Sequence, residues 1–153
     1  MTDMQPIICL DFDGVIHSYE SGWQGGRVIP DGPVPGAFEF ILEALGEGYQ
    51  VAIHSSRSHR LGGRRAMKRW MRRHAAGAFL TTNRKPWIDA GYQLGAESLN
   101  EEAHRAGRWL VRQVRWPLCK PPALVTIDDR GYRFMGVFPN PEWAASMRPW
   151  NKV

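Results

Sequence analysis

The chain has 153 residues, 43% of them hydrophobic, which suits one domain with a packed core and excludes a disordered chain. Its formal net charge is +5 and its sequence pI about 9.6, which favours acidic partners such as phosphate esters, nucleotides or nucleic acid. Sixteen of the twenty basic residues are Arg, the side chain that grips phosphate bidentately, although a solvated basic face accounts for any single one equally well. The N-terminus has no signal-peptide pattern, and no apolar stretch approaches the roughly 20 residues a membrane span needs, so a soluble cytoplasmic protein with no membrane partner is expected. Neither Cys9 nor Cys119 has metal-ligand spacing, and Cys9 lies in an apolar run that marks it as a core residue.

Pro6-Ile7-Ile8-Cys9-Leu10 is a continuous apolar run, the pattern of a buried parallel strand, and it ends in Asp11-Phe12-Asp13-Gly14. Residues 15–32 are rich in Gly and aromatic side chains and read as a flexible flap. Phe38, Ile41, Leu42 and Leu45 sit at helical spacing and predict a helix over 37–46, stopped by Gly46 and Gly48. A second apolar strand over 49–53 closes on His54-Ser55-Ser56-Arg57. A basic amphipathic helix over 63–74 follows, with Met67, Trp70 and Met71 as its apolar stripe, and 78–81 reads as a third strand. Residues 83–98 are mixed in composition and carry no assignment; 76–99 reads as a modest insertion. Ala103, Ala106, Leu110 and Val114 predict a helix over 100–115. After Pro121 and Pro122 comes a buried strand over 123–127, ending in Asp128-Asp129, and then a tail whose Trp143 and Trp150 are expected to pack back on the domain.

Strands alternating with helices predict an α/β fold: a three-layer, Rossmann-like single domain over 1–153, with a parallel sheet and helices on both faces. Ligands of such sheets bind at the carboxyl ends of the strands, so Asp11, Asp13, Ser55, Asp128 and Asp129 are expected to gather in one crevice.

Crowded carboxylates repel one another, so a cluster of this kind usually holds a cation. Oxygen ligands without His or Cys suit Mg²⁺ better than zinc. One carboxylate is then free to attack phosphorus and form an aspartyl-phosphate. Asp13 is placed to protonate the leaving oxygen and later to activate water. Ser55 can hydrogen-bond a phosphoryl oxygen, and Lys120 can reach the phosphate as a point charge. Gly14 permits a tight turn behind Asp13, and Gly14, Ser56 and Arg57 are candidate substrate contacts. Each piece has a bland reading. Asp-x-Asp-Gly is common in turns, Ser-Ser after a strand is commonly a turn, and Asp-Asp-Arg suits a loop with a surface salt bridge. Their conjunction at the ends of separate apolar runs favours the functional reading.

Outside this set, His54 is expected to point away from the site, and flap exposure alone explains His17. The basic helix (Arg64, Arg65, Lys68, Arg69, Arg72, Arg73) reads as a solvated face or as a landing strip for a nucleic-acid backbone. Trp70 and Trp109 lie on apolar helical stripes, which leaves Trp23 as the better candidate for stacking on a substrate.

Asp11-Phe12-Asp13-Gly14-Val15 resembles the first motif of the haloacid dehalogenase superfamily of phosphohydrolases. Val51-Ala52-Ile53-His54-Ser55 resembles the second, Lys120 stands where the third places its lysine, and Ile127-Asp128-Asp129-Arg130 resembles the fourth. The resemblance runs from Ile7 to Phe138, and it implies Asp11 as nucleophile and Asp13 as acid/base. It further implies Mg²⁺ held by Asp11, the backbone carbonyl of Asp13 and Asp128, with Asp129 as a supporting ligand. Only 41 residues separate Asp13 from Ser55, too few for a large cap domain. The Ser-Ser-Arg and Asp-Asp-Arg pieces are similar to those of the phosphatase domain of polynucleotide kinases, and the chain resembles small stand-alone bacterial or phage members. The expected substrate is therefore a phosphorylated small molecule, a nucleotide or an oligonucleotide end. Two alternatives stand beside hydrolysis: a nucleic-acid-binding protein with a vestigial site, and a phosphotransferase, whose first half-reaction is identical.

Overall fold

In the computed structural model, which describes residues 4–95 and 98–152, the first apolar run becomes the central strand of a small parallel sheet. Strand β1 (Ile7–Leu10) pairs with β2 (Gln50–Ile53) from Ile7↔Gln50 to Leu10↔Ile53, and with β3 (Val125–Ile127) from Ile8↔Val125 to Leu10↔Ile127. A strand paired on both edges needs side chains that tolerate full burial, and Cys9 and Leu10 supply them. The outer edge of β2 takes one further bridge: Arg115 N–H donates to Val51 O at 2.9 Å and Ile53 N–H donates to Arg115 O at 2.9 Å.

β3 corrects the expectation of a buried strand. Val125 is 47% and Ile127 36% exposed, because β3 is the edge strand of the sheet and its short apolar run is covered on β1's side alone.

Helix α1 (Ala37–Gly46) buries Phe38, Ile41 and Leu42 as its periodicity predicts. Helix α2 (Gly63–Thr81) runs well past the predicted end and absorbs 78–81, which the sequence reads as a strand. Tertiary packing decides this: Met67, Met71, Ala75 and Phe79 recur every four residues, and all four are buried, so one helical face stays on the core to its end. The Thr81 hydroxyl donates to Gly77 O at 3.1 Å and so does not compete with the helix.

The unassigned stretch 83–95 contributes a short helix, α3 (Lys85–Asp89), and two core aromatics. Trp87 is fully buried, with ring centroids 5.2 Å from Phe79, and Tyr92 lies 5.3 Å from Trp109. Trp87 and Tyr92 belong to the same hydrophobic cluster as the strands. Helix α4 (Leu99–Gln113) opens on a Ser98/Glu101 capping box and buries Ala103, Ala106 and Leu110. It crosses α2 closely at Gly107, where a Cβ would collide with the Arg72 carbonyl.

The result is a mixed α/β fold, a three-stranded parallel sheet with helices around it. The end of the tail does return to the domain. Trp150 Nε1 donates to Gly14 O at 2.7 Å and Asn151 Nδ2 to Ser18 O at 2.9 Å, whereas Trp143 packs on Tyr132, 4.9 Å between centroids. Among the described residues, no helix is long and apolar enough to cross a membrane.

Candidate active site

The carboxyl ends of the three strands open into one cleft of about 450 Å³. Asp11 and Asp13 line it from β1, Ser55 and Ser56 from β2, and Asp128 and Asp129 from β3, with Lys120 beside them. The parallel register brings these positions together, because it aligns the last residues of all three strands.

Three of the carboxylates form a group. Asp11, Asp128 and Asp129 each offer an oxygen within 4.8 Å of the others. Asp128 is exposed, but Asp11 is partly buried and the Asp129 side chain is only 3% exposed, so this is not merely a cluster on a solvated surface. Burial pushes the Asp11 carboxyl up to about 7, against a 2.7 Å hydrogen bond from Phe12 N–H, and the neighbouring charges of Asp128, Asp129 and Asp13 raise it further. Burial raises Asp129 in the same way, although Arg130 partly offsets it. A divalent cation would relieve this crowding, and a set of carboxylate oxygens with no His or Cys fits Mg²⁺ by its chemistry.

The Asp13 side chain stands outside that group, so any part Asp13 takes in holding a cation falls to its backbone carbonyl. His17 Nδ1 lies 2.8 Å from Asp13 Oδ1, and Arg57 Nε lies 2.8 Å from Oδ2 and 3.1 Å from Oδ1. Burial alone would push the Asp13 carboxyl up, but the hydrogen bonds from His17 and Arg57 hold it below the usual carboxylate range. The Asp31 N–H reaches His17 Nε2 at 3.1 Å, which assigns the ring hydrogen to Nδ1, where it donates to Asp13.

Arg57 does not reach the cleft as a substrate contact. It is fully buried behind Asp13, and its Nη1 donates to the carbonyls of Gly25 (2.9 Å), Gly26 (3.2 Å) and Val28 (3.0 Å). The expected flexible flap is thus tied down by one guanidinium, and again where Trp70 Nε1 donates to Asp31 O at 3.0 Å. His17 is likewise fully buried rather than exposed on the flap.

Gly14 leaves room at the floor of the turn. Its φ of 83° favours glycine, and a Cβ there would sit inside van der Waals contact of Asp129 Oδ2. The bare backbone therefore makes room for the Asp129 carboxylate. Ser55 is 3% exposed and caps the 3₁₀ turn Ser56–His59: its Oγ accepts from Arg57 N–H at 3.2 Å, and its own N–H donates to Ser58 Oγ at 3.0 Å. The Ser55 hydroxyl hydrogen remains for an acceptor in the cleft. Ser56 and Lys120 are exposed cleft residues.

His54 corrects a further expectation, since it lines the cleft. Side-chain alternation holds only within β2, which ends at Ile53, so the rule that would turn His54 away no longer applies to it. The sequence reading also passes over Tyr19 and His17 as the partner of Asp13. The contacts that define them lie in the tertiary fold, although a non-glycine at Tyr19 with φ 61° leaves no trace in sequence at all.

Comparison of the chain with family models, curated proteins and solved structures returns no match.

Proposed function

We propose that the chain is a Mg²⁺-dependent phosphatase that hydrolyses phosphate monoesters through an aspartyl-phosphate on Asp11. One observation carries the reading: Asp11 stands within a group of three carboxylates, and Asp13 is oriented beside it by two fully buried side chains. The order of motifs, similar to that of haloacid dehalogenase phosphohydrolases with their three-layer Rossmann-like fold, supports it. The partner is then a phosphorylated small molecule, nucleotide or oligonucleotide end in the cytoplasm. The exposed Arg65, Arg69, Arg72 and Arg73 of α2 favour an anionic substrate.

Asp11, Asp128 and Asp129 would hold Mg²⁺, which when bound offsets the charge of the phosphoryl oxygens. The Asp11 carboxylate attacks phosphorus, the ester bond to the leaving oxygen breaks, and that oxygen takes a proton that Asp13, itself ionised at rest, relays from the hydroxyl of a monoanionic phosphate ester. Water then attacks the aspartyl-phosphate, gives its proton to Asp13, and releases phosphate and a regenerated Asp11 carboxylate. Lys120 and the Ser55 hydroxyl bind phosphoryl oxygens throughout.

The deciding experiment is hydrolysis of a generic aryl phosphate with Mg²⁺, with excess chelator, and by Asp11→Asn. Chelator should abolish turnover, and the substitution should lower kcat by roughly 10⁴-fold or more, as removal of other covalent nucleophiles does. Activity in Asp11→Asn within tenfold of the unsubstituted protein would sink the mechanism.

A further inference from the structure

We infer that Tyr19 and Trp23 form the leaving-group subsite of the cleft and that the group they receive is a nucleoside. The inference rests on the phosphatase reading for its chemistry and on the flap for its geometry.

An attacking Asp11 and the departing oxygen lie on opposite sides of phosphorus, and the proton donor must stand at the departing oxygen. Asp13 marks that side. Whatever leaves therefore lies against the residues next to Asp13, and the flap supplies two aromatic rings there. Tyr19 and Trp23 both line the cleft with Asp11 and Asp13, and Trp23 keeps 45% of its surface exposed. The core tryptophans Trp70 and Trp87 are 7% and 0% exposed.

The ring of Trp23 is placed rather than merely exposed. The Arg57 guanidinium binds Asp13 at 2.8 Å, lies 4.7 Å from the Trp23 ring centroid, and holds the carbonyls of Gly25, Gly26 and Val28 just beyond it. One buried side chain thus sets the aromatic ring at a constant offset from the proton donor. Tyr19 reaches the cleft from a left-handed backbone (φ 61°), a conformation a non-glycine residue adopts at some cost, of the kind that collects at ligand sites. The buried His17 ring, 6.0 Å from that of Tyr19, braces it.

The Arg57 guanidinium meets both Asp13, at 2.8 Å, and the Trp23 ring, 4.7 Å from its centroid, so the ring stands off from the carboxyl rather than against it. That offset suits a ring set off from the phosphate by a sugar. The exposed Arg60, 5.8 Å from the Trp23 centroid, and the overall charge of +5 favour an anionic ligand. A cleft of about 450 Å³ lies within the usual range of small-molecule sites, roughly 300–1,000 Å³.

The test compares phosphate release from nucleoside 5′- and 3′-monophosphates, an oligonucleotide with a terminal phosphate, ribose 5-phosphate, glycerol phosphate and a phosphotyrosyl peptide. Stacking on an aromatic ring is worth about fivefold to 150-fold in binding, so nucleoside phosphates should exceed ribose 5-phosphate in kcat/KM by at least about fivefold. That ratio should collapse in Trp23→Ala and return in Trp23→Phe. The mononucleotide and oligonucleotide arms decide whether the nucleoside is taken free or at a strand end. Equal kcat/KM for nucleoside phosphates and ribose 5-phosphate, or preference for the phosphotyrosyl peptide, would overturn the assignment. The indole N–H resonance of Trp23, assigned with Trp23→Phe, gives a readout free of turnover. Should no ester be hydrolysed while that resonance shifts with nucleoside monophosphates, the subsite stands and the phosphatase reading falls. No hydrolysis and no shift would remove both.

Discussion

Arg57 Nε lies 2.8 Å from Asp13 Oδ2, and the arginine side chain that makes this contact is completely shielded from solvent while the aspartate is 12% exposed. A buried cation of this kind is paired or it is costly, and here the pairing also carries the flap through three backbone carbonyls. Arg57→Met should therefore destabilise the protein by about 3–5 kcal/mol, the usual cost of leaving one member of a buried pair alone. Arg57→Lys should recover part of that stability but little activity, since an ammonium cannot bind the carboxylate and three carbonyls in one plane. Denaturant unfolding and aryl phosphate turnover measured on both variants check this; wild-type stability in Arg57→Met would refute the role given to the pair.

At Gly14, the missing side chain is what admits Asp129 to the carboxylate group. Gly14→Ala should displace the Asp129 carboxylate and strain a backbone held at φ 83°. We expect a stability loss of about 1–2 kcal/mol and a cation requirement raised at least about tenfold. Titration of turnover against Mg²⁺, alongside thermal unfolding, separates the two effects. An unchanged Mg²⁺ requirement would mean that Asp129 is no ligand.

The Asp11 carboxyl, raised by burial to about 7 from 3.8, makes cation-free stability depend on pH. A carboxyl whose folded pKa lies above its unfolded value favours the folded state in its protonated form. Its contribution is complete below about pH 4 and is lost as pH rises through about 7, a change on the order of 2–4 kcal/mol. Asp11→Asn cannot ionise and should lack this loss. In chelator, the variant should therefore unfold at a higher temperature than wild type at pH 8, with the gap closing toward pH 4. Mg²⁺ should restore the wild type at pH 8 and bind more tightly as pH rises, because binding competes with the proton on Asp11. Thermal unfolding from pH 4 to 8, with and without Mg²⁺, reads all three effects. A gap that does not vary with pH would show that Asp11 carries no such burden.

Sequence by itself determined the elements whose signal is local. The run Ile7–Leu10, the helical spacing of Phe38, Ile41 and Leu42, and the stripe Ala103, Ala106 and Leu110 each announce one element, because period and burial are set within a few residues. It also located the strand ends at Asp11, Ser55 and Asp128, and a parallel sheet brings such ends together whatever the details of packing. Tertiary structure decided the rest. Residues 78–81 have the composition of a strand, yet Phe79 is needed on the buried face of α2, and that contact outweighs local preference. Trp87 and Tyr92 enter the core from a stretch with no periodicity of its own. The side chains that orient Asp13 lie 4 and 44 residues from it, and nothing near Arg57 in sequence indicates that its guanidinium turns back to a carboxylate and three flap carbonyls. Such partners are chosen by distance in space, after the sheet has formed, and spacing along the chain carries no record of them.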